Sequence, residues 1–320
     1  MNKFFAFFVI LALSSKLVAQ DQPNLLSSTK VTTIGYWNKG DKVSYHVINS
    51  KTTTKSGSTE PVKKSSDTYD LEITVVDSTE HAYILAMKYL KGSGEGLEPQ
   101  LQEIMNSIQT TAVIRYQTDE FGSFVKILNL IELQKDFQKT CNEFKKQVVS
   151  TRKPEEAKEV TATIDALSAQ FSKPENIAVL YMSDILAIHA YYGIELVLNK
   201  PMETDLEFPC FANINVPGTG KITLSAINKA KDIATFSMVS KPDKEELKKY
   251  MKLFFDQLFP DSKGKIPVDQ MSIDFENTER LVIHLSDGWM ESVESSQTAI
   301  VSDSKEKVKK VSSKLFTRNN

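Results

Sequence analysis

The chain has 320 residues, of which 41% are hydrophobic and 25% are charged, so it can bury about three quarters of the surface that it exposes when unfolded. Its 39 basic and 41 acidic residues give a formal net charge of −2. This balance argues against nucleic-acid binding, because proteins that bind nucleic acids carry a basic face.

Residues 1–19 have the pattern of a secretory signal peptide. Lys3 supplies a positive charge, and residues 4–13 form an unbroken apolar run. The run is too short to cross a bilayer, which takes about 20 apolar residues. We therefore predict cleavage after Ala19 and export to the periplasm or the extracellular space, with no transmembrane segment in the mature chain. The polar residues 20–35 are expected to form a flexible leader.

Residues 36–130 are predicted to form a first β-rich half. Alternating apolar and polar residues predict a hairpin over 69–90 and a second hairpin over 112–129. Between them, residues 97–109 carry apolar side chains at helical spacing. Residues 51–66 contain one aliphatic side chain, and they are expected to form a long flexible hairpin loop or a disordered excursion.

A central helical segment is predicted over residues 131–200. Its first helix carries an apolar stripe with steps of three and four residues: Leu133, Phe137, Cys141, Phe144 and Val148. A second helix begins at Pro154, in a first-turn position that tolerates proline. A third helix begins near Pro174 and is apolar on nearly all sides. A helix without a clean polar face is usually buried, so this one should lie inside the protein.

Residues 201–302 are predicted to form a second β-rich half of similar layout. It has a hairpin over 221–240, a helix over 243–259 and a closing hairpin over 270–286, with its turn at 276–278.

Within this half, residues 217–220 (Pro-Gly-Thr-Gly) are expected to form a turn before the hairpin 221–240. Residues 303–320 are expected to form a polar tail or an edge strand. The expected fold is therefore α+β, with two antiparallel sheet lobes, each built as hairpin, helix and hairpin, joined by a central three-helix segment. The likeness of the two lobes is explained equally well by duplication and by coincidence.

No combination of residues marks a catalytic or metal site. The four histidines, His46, His81, His189 and His284, fall in four different predicted elements without metal-ligand spacing. Residues 218–221 (Gly-Thr-Gly-Lys) lack the spacing of a phosphate-binding loop and lead into a strand. We therefore predict no catalytic residue, no metal and no cofactor, which favours a protein that is not an enzyme.

The two cysteines, Cys141 and Cys210, allow two interpretations. In an exported protein they are a candidate disulfide, which would close a loop of about 70 residues. Alternatively, both are buried free thiols, since cysteine is among the most buried residue types. The position of Cys141 on the apolar stripe of its helix suits both interpretations.

The central helices carry more large apolar side chains than one helix layer needs. Two interpretations are open: these residues fill a core, or they line a cavity for a lipid or another apolar ligand between the sheets and the helices. The candidate lining residues are Phe137, Phe144, Leu180, Tyr181, Ile185, Ile188, Tyr191 and Tyr192.

Three features resemble uncharacterised secreted, β-rich proteins of Bacteroidetes bacteria. They are the Ala19-Gln20 end of the signal, the paired strand–turn–strand units 116–124 and 273–283, and the late Gly288-Trp289. The layout is also similar to the periplasmic lipoprotein-carrier fold, an open curved antiparallel sheet with helices in its concavity. The resemblance covers most of the mature chain as a pattern, and it implies a location in the cell envelope.

Three functions remain in view. The first is a non-enzymatic secreted or periplasmic protein that binds a lipid or another apolar ligand. The second is a structural or protein-interaction protein of the envelope with a solid core, which would use sheet edges and the loop 51–66 to bind an envelope partner. The third is an envelope hydrolase, which would need polar groups that converge in a cleft.

Overall fold

The computed structural model describes residues 26–319 apart from 28, 59, 95–111, 210–214, 259–267 and 303–305. This part of the chain combines a large antiparallel sheet with α-helices, so the predicted α+β class is confirmed. The predicted signal peptide (1–19) and the predicted helix 97–109 lie outside the described residues.

Fourteen strands are described: β1 (Leu26–Ser27), β2 (Lys30–Thr32), β3 (Lys42–Lys55), β4 (Lys63–Thr79), β5 (Ala82–Gly94), β6 (Val113–Asp119), β7 (Phe124–Ile127), β8 (Glu195–Val197), β9 (Met202–Pro209), β10 (Asn215–Asn228), β11 (Ile233–Pro242), β12 (Ser272–His284), β13 (Met290–Ser302) and β14 (Lys307–Arg318). The described helices are α1 (Leu130–Thr151), α2 (Pro154–Gln170), α3 (Pro174–His189) and α4 (Lys244–Leu258), with a 3-10 turn at Val268–Gln270.

The contacts divide the chain into two compact units, each built from several separate stretches of the sequence. The first unit comprises residues 1–36, 48–66 and 190–317, and the second comprises 37–47, 67–189 and 318–320.

In the second unit, strands β7, β6, β5, β4 and β3 follow one another across the sheet. The hairpins predicted over 69–90 and 112–129 are confirmed as β4–β5 and β6–β7. Leu71 and Ile73 of β4 are fully buried, because the side chains of a strand alternate between a buried and an exposed face. The three helices α1, α2 and α3 occupy the positions that the apolar period predicted, and Pro154 opens α2.

In the first unit, the order is β4, β3, β14, β13, β12, β11, β10 and β9. The prediction of a flexible loop over 51–66 is wrong for most of its length. β3 continues to Lys55 and β4 resumes at Lys63, and the Ser66 hydroxyl donates to the Asn49 carbonyl at 3.0 Å. The threonines at 52–54 favour this result, because β-branched residues suit strands.

The closing hairpin predicted over 270–286 is also wrong. β12 is one continuous strand, and it is paired with β11 on one side and β13 on the other. The residues interpreted as its turn lie in mid-strand, where Asn277 is opposite Ser240 on β11 and Gln297 on β13. Asn277 and Thr278 are paired on both sides, and Glu276 is paired with Thr298 of β13, so the backbone continues as a strand without a turn. The second lobe therefore does not have the predicted hairpin, helix and hairpin layout.

The predicted turn at 217–220 likewise lies inside β10, paired with β9 and β11. Its glycines are there because neighbours approach closely. A Cβ on Gly220 would lie 2.7 Å from Leu206 Cδ1 and 2.7 Å from Met238 Cε. A Cβ on Gly218 would lie 2.7 Å from Pro242 Cα, which is backbone and cannot rotate away.

The predicted leader 20–35 and the final segment 303–320 both contain strands. Within the leader 20–35, β1 and β2 join β8 in a small three-stranded sheet, and Val31 is buried. The final segment, predicted as a polar tail or an edge strand, contains β14, which lies between β13 and β3. It is therefore an interior strand, and its lysines at 307, 309 and 310 are exposed.

Candidate functional site

The predicted lining residues are divided between the two units. Those on α1 and α3 belong to the second unit, and all are buried except half-buried Leu180: Phe137, Phe144, Leu180, Tyr181, Ile185 and Ile188. The other two, Tyr191 and Tyr192, are buried in the first unit. The Phe137 ring packs edge-on against Phe171 with 5.1 Å between centroids. Such contacts occur in a core and in a cavity wall, so the lining role of these residues stays a prediction.

Cys141 is buried on α1 and forms no disulfide with another described residue. Burial raises the pKa of this thiol to about 11, which makes it a poor nucleophile at neutral pH. Cys210 lies outside the described residues, so the disulfide between Cys141 and Cys210 stays a prediction.

A buried carboxylate joins α3 to the sheet of the second unit. Asp184 is 3% exposed, and its Oδ2 accepts hydrogen bonds from the hydroxyls of Tyr69 at 2.9 Å and Tyr89 at 2.7 Å. Burial, followed by the charge of Asp184, raises the pKa of Tyr89 well above its ordinary value, so this hydroxyl keeps its proton. Hydrogen bonds from neutral donors make a buried carboxylate tolerable. Asp184 therefore acts as an anchor for α3.

His189 forms a second anchor at the end of α3. Its Nδ1 lies 2.8 Å from the Gly122 carbonyl oxygen, and its Nε2 lies 2.9 Å from the Tyr116 hydroxyl. A carbonyl can only accept, so Nδ1 carries the proton and Nε2 accepts from Tyr116. Burial lowers the pKa of His189 to about 4. The imidazole is therefore neutral at pH 7 with both nitrogens engaged, which does not suit a general base.

Ser286, His284 and Asp232 of the first unit lie together in the order of a nucleophile, a base and an acid. Ser286 Oγ is 3.2 Å from His284 Nδ1, but His284 Nε2 is 3.7 Å from Asp232 Oδ2, beyond hydrogen-bond length. Asp232 instead accepts the backbone N–H of Ser286 at 3.0 Å, and Asp287 accepts that of Trp289 at 2.9 Å. These bonds hold the turn between β12 and β13, and the geometry favours this scaffold role over hydrolysis.

A row of polar side chains crosses the sheet of the first unit. Ser240, Asn277, Gln297 and Ser312 are opposite one another on β11, β12, β13 and β14, and directly opposite residues face the same side of a sheet. We call these four residues the polar row. Ser240 and Asn277 are buried, whereas Gln297 and Ser312 are half-buried.

Asn277 is the unusual member of the polar row. Its side chain is 4% exposed, and its Oδ1 has no hydrogen-bond partner among the described residues. An unpaired buried acceptor costs about 1–3 kcal/mol, so such a group calls for a partner outside the protein or for an explanation of another kind.

Glu279 lies two residues further along the same face of β12. Burial raises the pKa of its carboxyl above the ordinary value, although a hydrogen bond from Tyr191 opposes that rise. The Tyr191 hydroxyl contacts Glu279 Oε2 and lies 3.0 Å from the Met238 sulfur. The Tyr191 carbonyl in turn accepts a hydrogen bond from the Thr33 hydroxyl, which holds this residue in place. Of the predicted lining residues, Tyr191 thus touches this polar region.

An apolar cluster lies beneath α4 and borders the polar row on the side opposite to Glu279. The helix begins where the Asp243 carboxylate accepts the N–H groups of Glu245 and Glu246, each at 2.9 Å. Its apolar face covers a buried core: Phe208, Val216, Leu247, Tyr250, Val268, Ile273 and Phe275. Around that core lies a ring of partly buried side chains: Leu206, Met251, Phe254, Phe255, Met271 and Ala299. We call both sets together the α4 cluster.

Phe275 and Asn277 connect these two features. They are two residues apart on one face of β12, a separation of about 7 Å at the rise of a strand. The α4 cluster therefore passes directly into the polar row. An apolar surface beside a few polar groups is the usual composition of a small-molecule site.

The sequence-based prediction missed Asn277 and Glu279 because it placed a turn between Phe275 and Leu281. A signal was present, since Ile273, Phe275, Asn277, Glu279 and Leu281 keep the period of two that a strand requires. Unbroken alternation indicates a strand even where Asn and Glu occupy the inward positions.

Comparison with protein-family models and with curated proteins gives no match. Among solved structures, the chain is similar to a structure of lipovitellin described for its lipid–protein interactions, with a TM-score of 0.45 and 9% sequence identity. The similarity covers 88% of this chain and 25% of that chain, so this chain spans about a quarter of its length. Within the described residues, no helix is both long enough and apolar enough to cross a membrane.

Proposed function

We propose that this protein is a non-enzymatic binder of a lipid or another amphipathic small molecule, and that the α4 cluster receives the apolar part of the ligand. The observation that carries the proposal is the partly buried ring around the core of the cluster. Phe254 stacks on Tyr250 at 6.0 Å and meets Phe255 at 5.8 Å, and both phenylalanines are only half-buried.

The free energy of binding would come from completing this burial. Each fully buried Phe or Met side chain contributes about 1.5–3 kcal/mol relative to an exposed one. Half-buried Met251, Phe254 and Phe255 therefore leave part of that gain for a ligand to supply. The polar row beside the cluster gives the other end of an amphipathic molecule a place to form hydrogen bonds.

The proposal retains two predictions from the sequence. One is export to the periplasm or the extracellular space through the signal peptide 1–19. The other is a lining role for residues that follow or belong to the central helices. Tyr191 supports the second, because its hydroxyl contacts Glu279 next to the polar row.

The test begins with the purified full chain. Organic extracts are analysed by mass spectrometry for co-purified lipid, and thermal unfolding is followed with dodecanol, dodecylamine and dodecanoate. A ligand at 100 times its dissociation constant stabilises the folded state by about 2.7 kcal/mol, which should raise Tm by several degrees.

Two neighbouring substitutions on α4 locate the site. Phe254→Ala should weaken binding of these amphipaths by about tenfold, since it removes a ring from the surface that the ligand covers. Leu253→Ala is the matched control, because Leu253 is 54% exposed on the same helix and lies outside the cluster. Equal effects of the two substitutions, or extracts without lipid together with an unchanged Tm, would contradict the proposal.

A further inference from the structure

One face of β12 alternates between apolar and polar zones. Along this face run Ile273 and Phe275, then Asn277 and Glu279, then Leu281, and all but half-buried Glu279 are buried. The two polar residues are about 7 Å apart at the rise of a strand. A single ligand head group is small enough to meet both.

The buried atom at this point that has no hydrogen-bond partner among the described residues is an acceptor, Asn277 Oδ1. Asn277 Oδ1 can only accept, and the Glu279 carboxyl oxygen Oε2 already receives the Tyr191 hydroxyl. The Met238 sulfur beside Tyr191 is also an acceptor. A molecule that complements this set must bring a donor.

We propose that Asn277 Oδ1 accepts a hydrogen bond from the head group of the ligand, so that the site selects amphipaths with a hydroxyl or an amine over those with a carboxylate. The inference rests on the proposed function, because it assumes that the apolar part of the same ligand lies against the α4 cluster. Asn277 is the specificity-determining residue in this arrangement.

The acidic side chain of Glu279 acts in the same direction. An ionised ligand carboxylate has no proton to donate, and it would lie beside the acidic side chain of Glu279. Lys314 faces the same side of the sheet, but Ser295 separates it from Glu279, which places it two strand spacings away, about 10 Å. Its ammonium lies 5.6 Å from the centre of the Phe316 ring. This contact places the ammonium beside Phe316, which lies further along β14 from the polar row than Lys314 does.

The side chains of the polar row become more exposed from β11 to β14. Ser240 and Asn277 are buried at one end, and Gln297 and Ser312 are half-buried at the other. A hydroxyl or an amine could exchange hydrogen bonds with these side chains before it reaches Oδ1. A polar head group would therefore remain hydrogen-bonded along the row.

The experiment compares three probes that share one alkyl chain. Dodecanol, dodecylamine and dodecanoate are titrated at pH 8 into the delipidated full chain, below the solubility limit of dodecanol and below the concentrations at which the two ionic probes form micelles. We expect dodecanol and dodecylamine to bind about tenfold more tightly than dodecanoate, the ratio that corresponds to one hydrogen bond of about 1.4 kcal/mol.

Two substitutions test the assignment to Asn277 and Glu279. Asn277→Leu keeps the shape of the side chain and removes the acceptor, so the tenfold preference should disappear while Tm is unchanged or raised. Glu279→Gln removes the negative charge and should tighten dodecanoate severalfold. Thr278→Val is the matched control, because Thr278 points to the opposite face of β12, and it should keep the preference. The preference is a ratio measured within each variant, so it is insensitive to a general loss of affinity.

The two levels of the proposal fail in different ways. If all three probes bind equally and Asn277→Leu changes nothing, the head-group selection is overturned and the apolar site stands. The same holds if water alone satisfies Oδ1, since an alcohol would then gain nothing. If none of the three probes binds, the proposed function is overturned and the selection with it.

Discussion

The hydroxyl of Tyr89 lies 2.7 Å from the carboxylate of Asp184, across the contact between β5 and α3. Tyr69 donates to the same oxygen at 2.9 Å, and the two tyrosine rings lie 5.5 Å apart. A buried acid on an apolar helix is thus explained by two sheet hydroxyls rather than by catalysis. The arrangement fixes α3 against the sheet of the second unit.

Removal of one of these hydroxyls should destabilise the protein measurably. Tyr89→Phe deletes a donor to a buried charge, and we expect a loss of about 1.5–3 kcal/mol in the free energy of unfolding, measured with urea. Tyr69→Phe should reduce the free energy of unfolding more in the Tyr89→Phe protein than in the parent, because Asp184 then loses both tyrosine donors. Asp165→Asn serves as a control, since the ion pair of Asp165 with Lys145 is solvent-exposed, and it should have little effect. A Tyr89→Phe protein as stable as the parent would contradict the anchor role.

The pH dependence of stability should report the burial of His189. Its pKa is about 4 in the folded protein and about 6.5 in the unfolded chain, so the unfolded state binds more protons between these values. The stability contribution is therefore present above pH 6.5 and is lost as pH falls towards 4. Between pH 7 and pH 5 the loss should reach about 2 kcal/mol.

His189→Gln should remove this part of the pH dependence. The free energy of unfolding of the variant and of the parent is measured in urea at both pH values, and the difference between them isolates one residue. His81→Gln is the matched control, because His81 is exposed in the turn between β4 and β5 and should leave the slope unchanged. A slope that is the same in all three proteins would argue against a neutral, buried His189.

The contribution of Glu279 to stability should change with pH in the opposite direction to that of His189. Its folded pKa is raised by burial, so its ionisation weakens the folded state as pH rises through that value. Glu279→Gln keeps the acceptor for Tyr191 and cannot ionise. We expect the variant to have a higher Tm than the parent at pH 8, and we expect this gain to vanish below pH 4, where both side chains are neutral. Glu294→Gln, at an exposed position of β13, should give no such gain.

Local periodicity correctly predicted the strands and helices that bury one face along their whole length. The alternation around Leu71 and the helical stripe around Phe137 both report one buried face, and both elements lie where the sequence placed them. Of the proposed site, the prediction included Tyr191, which it selected for its size and apolar surroundings. These signals are carried by the element itself.

The sequence-based prediction failed at residues whose type is explained by contacts with a neighbouring strand. Asn277 and Gly218 are typical of turns, and they were interpreted as turns. In the structure, Asn277 is set in register by β11 and β13, and Gly218 is small because Phe208 and the backbone of β11 crowd its position. The alternation through Asn277 is a local signal of a strand, but the residues that Asn277 and Gly218 meet lie on other strands, so no local pattern identifies these neighbours. The polar row escaped prediction for the same reason.

The two glycines of β10 should therefore differ in their tolerance of a side chain. A Cβ on Gly218 would meet the backbone of Lys241 and Pro242, which is fixed by pairing with β10. A Cβ on Gly220 would meet the ends of Leu206 and Met238, which can move. We expect Gly218→Ala to reduce the free energy of unfolding by about 1–3 kcal/mol, and Gly220→Ala to reduce it by less. Urea unfolding of the two variants side by side gives the comparison, and equal losses would mean that crowding by the backbone is not what keeps Gly218 small.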